Sequence, residues 1–256
     1  MSGEDEARRF ALEHAHFGED IPFWRAAAAR CGSPVLDLGS ATGRVAIPLA
    51  RDGHEVWALD RSEAMLAELR RRLEREPPAV RARVRAVRGD LAALRLPRAF
   101  PLVIAAMNTL QVLTEAPDRL ACFRAMRAHL AKGGELGFEV GLPDPDEIVA
   151  TMGIERSNGH YRDGAGGPLL LHSAWYDSWD PDTRTLEFTL RIAQSHGTEP
   201  PREVLRRHRV HIFWPGEIAD LLSAAGLEAV EVSGGFDGAP IGPGSERQVY
   251  RCRARE

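Results

Sequence analysis

Val35-Leu36-Asp37-Leu38-Gly39-Ser40-Ala41-Thr42-Gly43-Arg44 is the stretch whose reading decides the fold of this chain. Val35 to Leu38 suits a short buried strand, Gly39 to Gly43 a turn of small residues, and Arg44 to Arg51 a helix on which Val45, Ala46, Leu49 and Ala50 recur at helical spacing. Small side chains at such a turn let a ligand approach the backbone. The amides and positive dipole end of the following helix favour an anionic group, a carboxylate or a phosphate. Ligands of open α/β sheets sit at the carboxyl ends of strands, which is where this turn lies.

On both sides of the turn, short apolar runs alternate with helical patterns, the signature of β-α-β units feeding a parallel sheet. Glu55 to Leu59 predicts the second strand, ending in Asp60, and Ser62 caps a helix running from Glu63 toward Glu76. Pro77-Pro78 breaks the chain. Val84 to Val87, Leu102 to Met107 and Glu135 to Val140 read as strands three to five, the last entered through a Lys132-Gly133-Gly134 helix exit. Beyond Gly141 the rhythm changes. Leu169 to Trp179 and Leu186 to Ala193 form a hairpin about Asp180-Pro181-Asp182-Thr183, and Leu205 to Phe213 adds a third strand. Leu186, Phe188, Leu190 and Ile192 alternate with Thr185, Glu187, Thr189 and Arg191, which predicts one apolar and one wet face. A helix over Pro215 to Ala225 and strands over Leu227 to Ser233 and Gln248 to Arg253 complete the pattern. The expected fold class is α/β, a doubly wound, mostly parallel seven-stranded sheet in one domain over 1–256, with a small antiparallel insertion over 142–213.

Composition removes several function classes. With 33 basic and 37 acidic side chains the 256-residue chain has a formal charge of −4, and no cationic field draws it onto nucleic acid. Cys31, Cys122 and Cys252 have neither disulfide-framework nor zinc-ligand spacing, which suits a reducing cytoplasm. The longest uncharged run, Ala99 to Thr114, contains Pro101, Asn108 and Gln111, so no membrane span and no membrane partner is expected. His14 with His16 would face different sides of a helix, and His208 with His211 opposite sides of a strand. A metal site is therefore not expected. Arg70-Arg71-Arg72 and the arginines of Arg81 to Arg88 read as solvated faces.

Asp60, at the end of the second strand, is placed to accept hydrogen bonds from both hydroxyls of a ribose, so turn and carboxylate together indicate a nucleoside cofactor. The dinucleotide fingerprint fails, because Ala41 and Arg44 stand where it needs glycines. Instead, Asp37-x-Gly39-x-x-x-Gly43, Asp60 with Ser62 and Met65, Gly89-Asp90, and Asn108 after strand four resemble, in order, the motifs of class I S-adenosylmethionine-dependent methyltransferases. Glu19-Asp20-Ile21-Pro22-Phe23-Trp24, Phe213-Trp214-Pro215-Gly216-Glu217-Ile218 and Ala224-Ala225-Gly226-Leu227 are similar to the small-molecule branch of that superfamily.

The resemblance implies S-adenosylmethionine as cofactor, with Gly39, Ser40, Ala41 and Gly43 along its methionine part. It puts Asp60 on the ribose, Met65 on the adenine face, and Asp90 with Leu91 on the adenine edge. Phe17 and Trp24 would close over it, and Arg61, Met107 and Asn108 complete the cofactor set. Met65 is polarizable enough to lie against an aromatic ring, and the Asp90 carboxylate accepts from an exocyclic amine. For a small-molecule acceptor the candidates are His16, Gln111, His172, Trp175, Tyr176 and His211, the aromatic insertion roofing the pocket. No catalytic base is assigned. The expected chemistry is in-line methyl transfer to N or O. The alternatives are a non-methylating reaction such as cyclization on the same cofactor, a non-catalytic binding protein, and an RNA methyltransferase, which the net charge disfavours.

Overall fold

A computed structural model describes residues 3–162, 169–195 and 201–255, with the backbone alone for His16, Tyr161 and Arg162. Contacts divide the chain into two compact units, Met1–Leu142 with Phe213–Glu256, and Pro143–Ile212.

In the larger unit the elements run α1 (Gly3–Glu13), a 3₁₀ turn (His14–His16), α2 (Ile21–Cys31), β1 (Val35–Leu38), α3 (Ala46–Arg51), β2 (Val56–Asp60), α4 (Glu63–Leu73), α5 (Pro78–Arg81) and β3 (Val84–Arg88). There follow β4 (Phe100–Ala105), a 3₁₀ turn (Thr109–Val112), α6 (Ala116–Ala128) and β5 (Leu130–Gly141). The smaller unit holds α7 (Pro145–Ala150), β6 (Arg156–Arg162), β7 (Leu169–Asp180), β8 (Thr185–Ser195) and β9 (Arg202–His211), after which α8 (Pro215–Ala224), β10 (Leu227–Ser233) and β11 (Arg247–Ala254) return to the larger one.

The larger unit is built on one seven-stranded sheet of order β10-β11-β5-β4-β1-β2-β3. β1 to β5 pair in parallel, and β11 runs antiparallel to both β5 and β10. All four residues of β1 are buried, as a central strand covered on both faces requires. One face packs Leu36, Leu38, Val103, Phe138 and Tyr250 with Phe123 and Met126 of α6 and Ile218 of α8. The other packs Val35, Val56, Leu102 and Ile104 with Trp24 of α2, Leu49 of α3 and Leu66 and Leu69 of α4. Ser62 caps α4 by accepting from the Met65 amide at 3.4 Å, and Arg70 to Arg72 occupy its last turn, where cations complement the helix dipole.

Four expectations change or are extended. Lys132-Gly133-Gly134 is no helix exit: α6 ends at Ala128 with His129 as its cap, and the three residues lie inside β5, where the pairing with β4 shifts between Phe100 and Leu102. Pro77-Pro78 not only follows the break after α4 but also opens a further helix, α5, because Pro is tolerated in a first helical turn. The antiparallel sheet has four strands, β6-β7-β8-β9. Finally, its wet face is not uniformly wet. Thr185 and Thr189 are buried beside Leu186 and Ile192 of the opposite face, the Thr189 hydroxyl donating to Asp177 at 2.7 Å.

Candidate active site

The turn from Gly39 to Arg44 stands at the carboxyl end of β1, in the middle of the sheet. Gly39 adopts φ +65°, and a Cβ there would come within 2.5 Å of the Thr109 methyl carbon, so both backbone and space exclude a side chain. Ala41 also sits in the left-handed region, at φ +46°. What holds it there is Asp60: one carboxylate oxygen accepts from the Ala41 amide at 2.9 Å and the other from the Ser62 amide at 2.8 Å. Asp60 thus ties the β1 turn to the start of α4, and each oxygen keeps a lone pair for a further donor.

Arginines fasten the same turn from outside. Arg72 donates to the Thr42 carbonyl at 2.8 Å, so the last arginine of Arg70-Arg71-Arg72 belongs to the turn's support and not to a solvated face. Burial holds its guanidinium below its ordinary pKa. Arg44 reaches Asp20 bidentately, at 2.6 and 2.7 Å, and Asp20, itself fully buried, also accepts from the Trp24 indole at 2.8 Å. Asp20 flanks the start of α2 but makes no side-chain cap hydrogen bond, and its partner Arg44 lies 24 residues away, so no local signal marks the pair. Arg44 further donates to the Phe17 carbonyl at 3.2 Å and lies 5.1 Å from the centre of the Phe17 ring.

Of the expected cofactor residues, Gly39, Ser40, Ala41, Gly43 and Asp60 come together as described. Gly89 donates to the Asp60 carbonyl at 3.0 Å, which brings Asp90 and Leu91 to the neighbouring strand end. Asp90 is exposed and accepts from the Ala92 amide at 2.9 Å, Leu91 packs on the core, Met65 is half-buried and Arg61 exposed. Trp24 is a correction. It is fully buried, and a Cβ on Gly137 would lie 2.8 Å from its ring, so the indole wedges between α2 and β5 and covers nothing outside.

Past β4, Met107 and Asn108 are both left-handed, at φ +59° and +58°. Consecutive strained residues persist only where surroundings over-determine them. Here the Met107 amide donates to Glu139 of β5, and the Gly141 amide donates to the Asn108 side chain at 2.6 Å. Gln111 is buried in the same corner and accepts from Gly141 at 3.4 Å.

In the smaller unit His172 and His211 are both buried. His172 is opposite Ile192 and His211 opposite Thr185, seven residues apart on the regular strand β8, so they face opposite sides of the sheet. By the same register Tyr176 shares the His172 side and Trp175 the His211 side. The Trp175 indole donates to Asp177 at 2.9 Å, and Arg156 lies 5.5 Å from the Tyr176 ring centre. The His16 side chain lies outside the described residues.

Two carboxyl groups stand out electrostatically. Asp37 on β1 and Glu139 on β5 are 2 % and 4 % exposed, and one oxygen of each has no hydrogen-bond partner among the described residues; the buried Ser40 hydroxyl is likewise unpartnered. Burial pushes Asp37 up to about 7, reinforced by Asp60 and Asp20 against Arg44 and the Ala46 amide. Burial also pushes Glu139 up to about 7, reinforced by Asp20 against the Met107 amide, Arg44 and Arg247. Glu139 carried no motif, and only its odd register beside Gly137 on an apolar strand marks it in sequence. Among the described residues no group of three His, Cys, Asp or Glu side chains is arranged to hold a metal ion.

A ligand with ribose hydroxyls at Asp60, an anionic end at the β1 turn and a positive charge near the unpartnered carboxyl oxygens fits this edge, and S-adenosylmethionine has all three. A family profile described as a methyltransferase domain matches residues 35–134. A curated relative, the cypemycin N-terminal methyltransferase of a Streptomyces species, is 34% identical over 228 residues, covering 88% of this chain and 81% of the relative. The CcbJ methyltransferase of Streptomyces caelestis superposes with a TM-score of 0.76 at 28% identity, over 93% of this chain and 90% of that one. CalS10, an amino pentose methyltransferase from Micromonospora echinaspora solved with S-adenosylmethionine bound, superposes with a TM-score of 0.67 at 24% identity, over 98% and 92%.

Proposed function

The chain belongs to the class I S-adenosylmethionine-dependent methyltransferases that act on small molecules, and from that premise we propose that its acceptor atom is an amine nitrogen. The observation that carries this choice is the 34% identical relative, named for methylation at an N-terminus. The CalS10 fold neighbour, named for an amino sugar, points the same way.

Bound S-adenosylmethionine supplies a methyl group already activated by its sulfonium. The protein's task is then alignment. In this reading the lone pairs left on Asp60 receive the ribose hydroxyls, the amides of Ser40 to Gly43 face the methionine carboxylate, and Met65, Asp90 and Leu91 bound the adenine. Arg72 and Thr109 keep the turn in shape, and Trp24 acts only by fixing Asp20. Phe17, Arg61, Met107 and Asn108 border the cofactor, while one face of the antiparallel sheet, His172 with Tyr176 or His211 with Trp175, serves the acceptor. The antiparallel unit is assigned to acceptor recognition for its aromatic side chains. We place the reaction in a reducing cytoplasm, a reading supported by three free thiols. No helix among the described residues is long and apolar enough to cross a membrane.

The test is a panel of size-matched amines, phenols and carboxylic acids incubated with protein and S-adenosylmethionine, read by product mass. Products carrying one or two added methyl groups on amines alone are expected. Methylation confined to oxygen, or none despite bound cofactor, overturns the proposal.

A further inference from the structure

Ion pairing around the active site leaves a specific imbalance. Asp37 and Glu139 lie on the same face of the sheet, the face of Trp24 and α2, on strands that flank β4. The register puts Asp37 level with Ile104, and Ile104 level with Gly137, so Glu139 stands two residues further toward the carboxyl edge. Asp37 is faced by Arg44 from its own turn, Asp60 from β2, Asp20 from the start of α2 and the Ala46 amide of α3. Glu139 is faced by Asp20, by Arg44, by Arg247 of β11 and by the Met107 amide.

Among the described residues neither has a cation of its own. Arg44 is committed to Asp20 through both nitrogens, and Arg247 is paired with Glu19 and lies 5.1 Å from the Phe236 ring centre. A buried carboxylate without a partner is strongly disfavoured, so it ionises only when positive charge arrives or else keeps its proton. Each of these acids keeps a solvent-excluded oxygen with no hydrogen-bond partner among the described residues, Asp37 two residues before the Gly39 turn and Glu139 held beside Met107 just past β4. S-adenosylmethionine and its product S-adenosylhomocysteine have the same carboxylate and amine; they differ by the methyl group and the sulfonium charge.

Resting on the family assignment above, we propose that Asp37 and Glu139 form a charge-matching pair that is ionised with the sulfonium cofactor and takes up a proton when the neutral thioether replaces it. The pair distinguishes cofactor from product by charge. Methyl transfer breaks the S–CH3 bond, forms the N–CH3 bond and moves the positive charge from sulfur to the acceptor nitrogen. Once the methylated ammonium gives up its N–H proton or leaves, the pair lacks the charge it had balanced and takes up one proton, from that ammonium or from solvent, which exchange for fresh cofactor releases. Their position near neutrality lets this happen at ordinary pH, since both sit at about 7 when the site is empty.

Calorimetric titration with S-adenosylmethionine and with S-adenosylhomocysteine, in buffers of different ionisation enthalpy near pH 7, counts the protons exchanged. The sulfonium ligand should release close to one proton more than the thioether. The ratio of their affinities should rise with pH, by up to about tenfold per unit through neutrality. Glu139→Gln keeps an oxygen for the Met107 amide, and with Asp37→Asn it should abolish both effects while the thioether still binds. Titration of the ligands' own amines is common to both proteins, so the difference between them isolates the pair. Equal proton counts and a flat ratio in the wild-type protein overturn the pair alone. Binding of neither ligand overturns the cofactor reading together with the pair.

Discussion

At the scale of single residues, the β1 turn depends on what is missing from Gly39 and what is doubled at Asp60. Gly39→Ala adds a left-handed penalty of about 1–2 kcal/mol to overlap with Thr109 of similar size, for a total of roughly 2–4 kcal/mol. Pairing it with Thr109→Ala should recover the overlap and leave the backbone strain, so the double variant loses less than the summed single losses in urea unfolding. Strict additivity would mean that the contact at 2.5 Å plays no part. Asp60→Ala removes the acceptor of two backbone amides and, with it, the proposed ribose contact. Its affinity for S-adenosylhomocysteine should fall by about 1.5–3 kcal/mol, with a loss of thermal stability that a ribose contact alone would not produce. Unchanged affinity in calorimetry would displace the cofactor from this strand end.

At the scale of elements, the strand ends around the candidate site are tied by charged groups that the sequence distributes over the chain. The buried pair between Arg44 and Asp20 joins the β1 turn to α2, and Glu139 joins β5 to the strained residues after β4. Such burial has a measurable signature in pH. Asp37 and Glu139 rise from carboxylate values of 3.8 and 4.5 to about 7, so the folded chain holds protons that the unfolded chain has released. Their contribution to stability is therefore complete below about pH 4 and is lost as pH rises toward 7. The ligand-free protein should show a falling urea midpoint over the upper part of this window. Asp37→Asn with Glu139→Gln should flatten the slope; a midpoint that rises with pH in the wild type would contradict the burial argument.

At the scale of the molecule, the proposed division of cofactor and acceptor duties between the two compact units is testable without knowing the physiological acceptor. Trp175→Ala and Tyr176→Ala alter opposite faces of the sheet, so one of them should raise KM for any accepted amine severalfold, and both should leave S-adenosylhomocysteine affinity unchanged by calorimetry. Because His172 and His211 occupy opposite faces of the four-stranded sheet, replacing one of them should change acceptor KM and replacing the other should not. A loss of cofactor affinity in the tryptophan or tyrosine variant would contradict the assignment.

What the sequence by itself determined is local or periodic. The apolar run of β1, the glycines that follow, Ser62 as a cap and the alternation of β8 each depend on neighbours a few residues away, and the order of the cofactor motifs is written along the chain. Tertiary structure alone decided how charges were matched. Arg44 finds Asp20 across 24 residues, Arg72 finds Thr42 across 30, and Glu139 finds Met107 across 32, so no window of sequence contains both partners. The same holds for Trp24, whose place in the core is set by Gly137 on a strand that packs beside it. Burial is a property of the folded surroundings, and it turns Asp37 and Glu139 from ordinary acids into groups poised near neutrality.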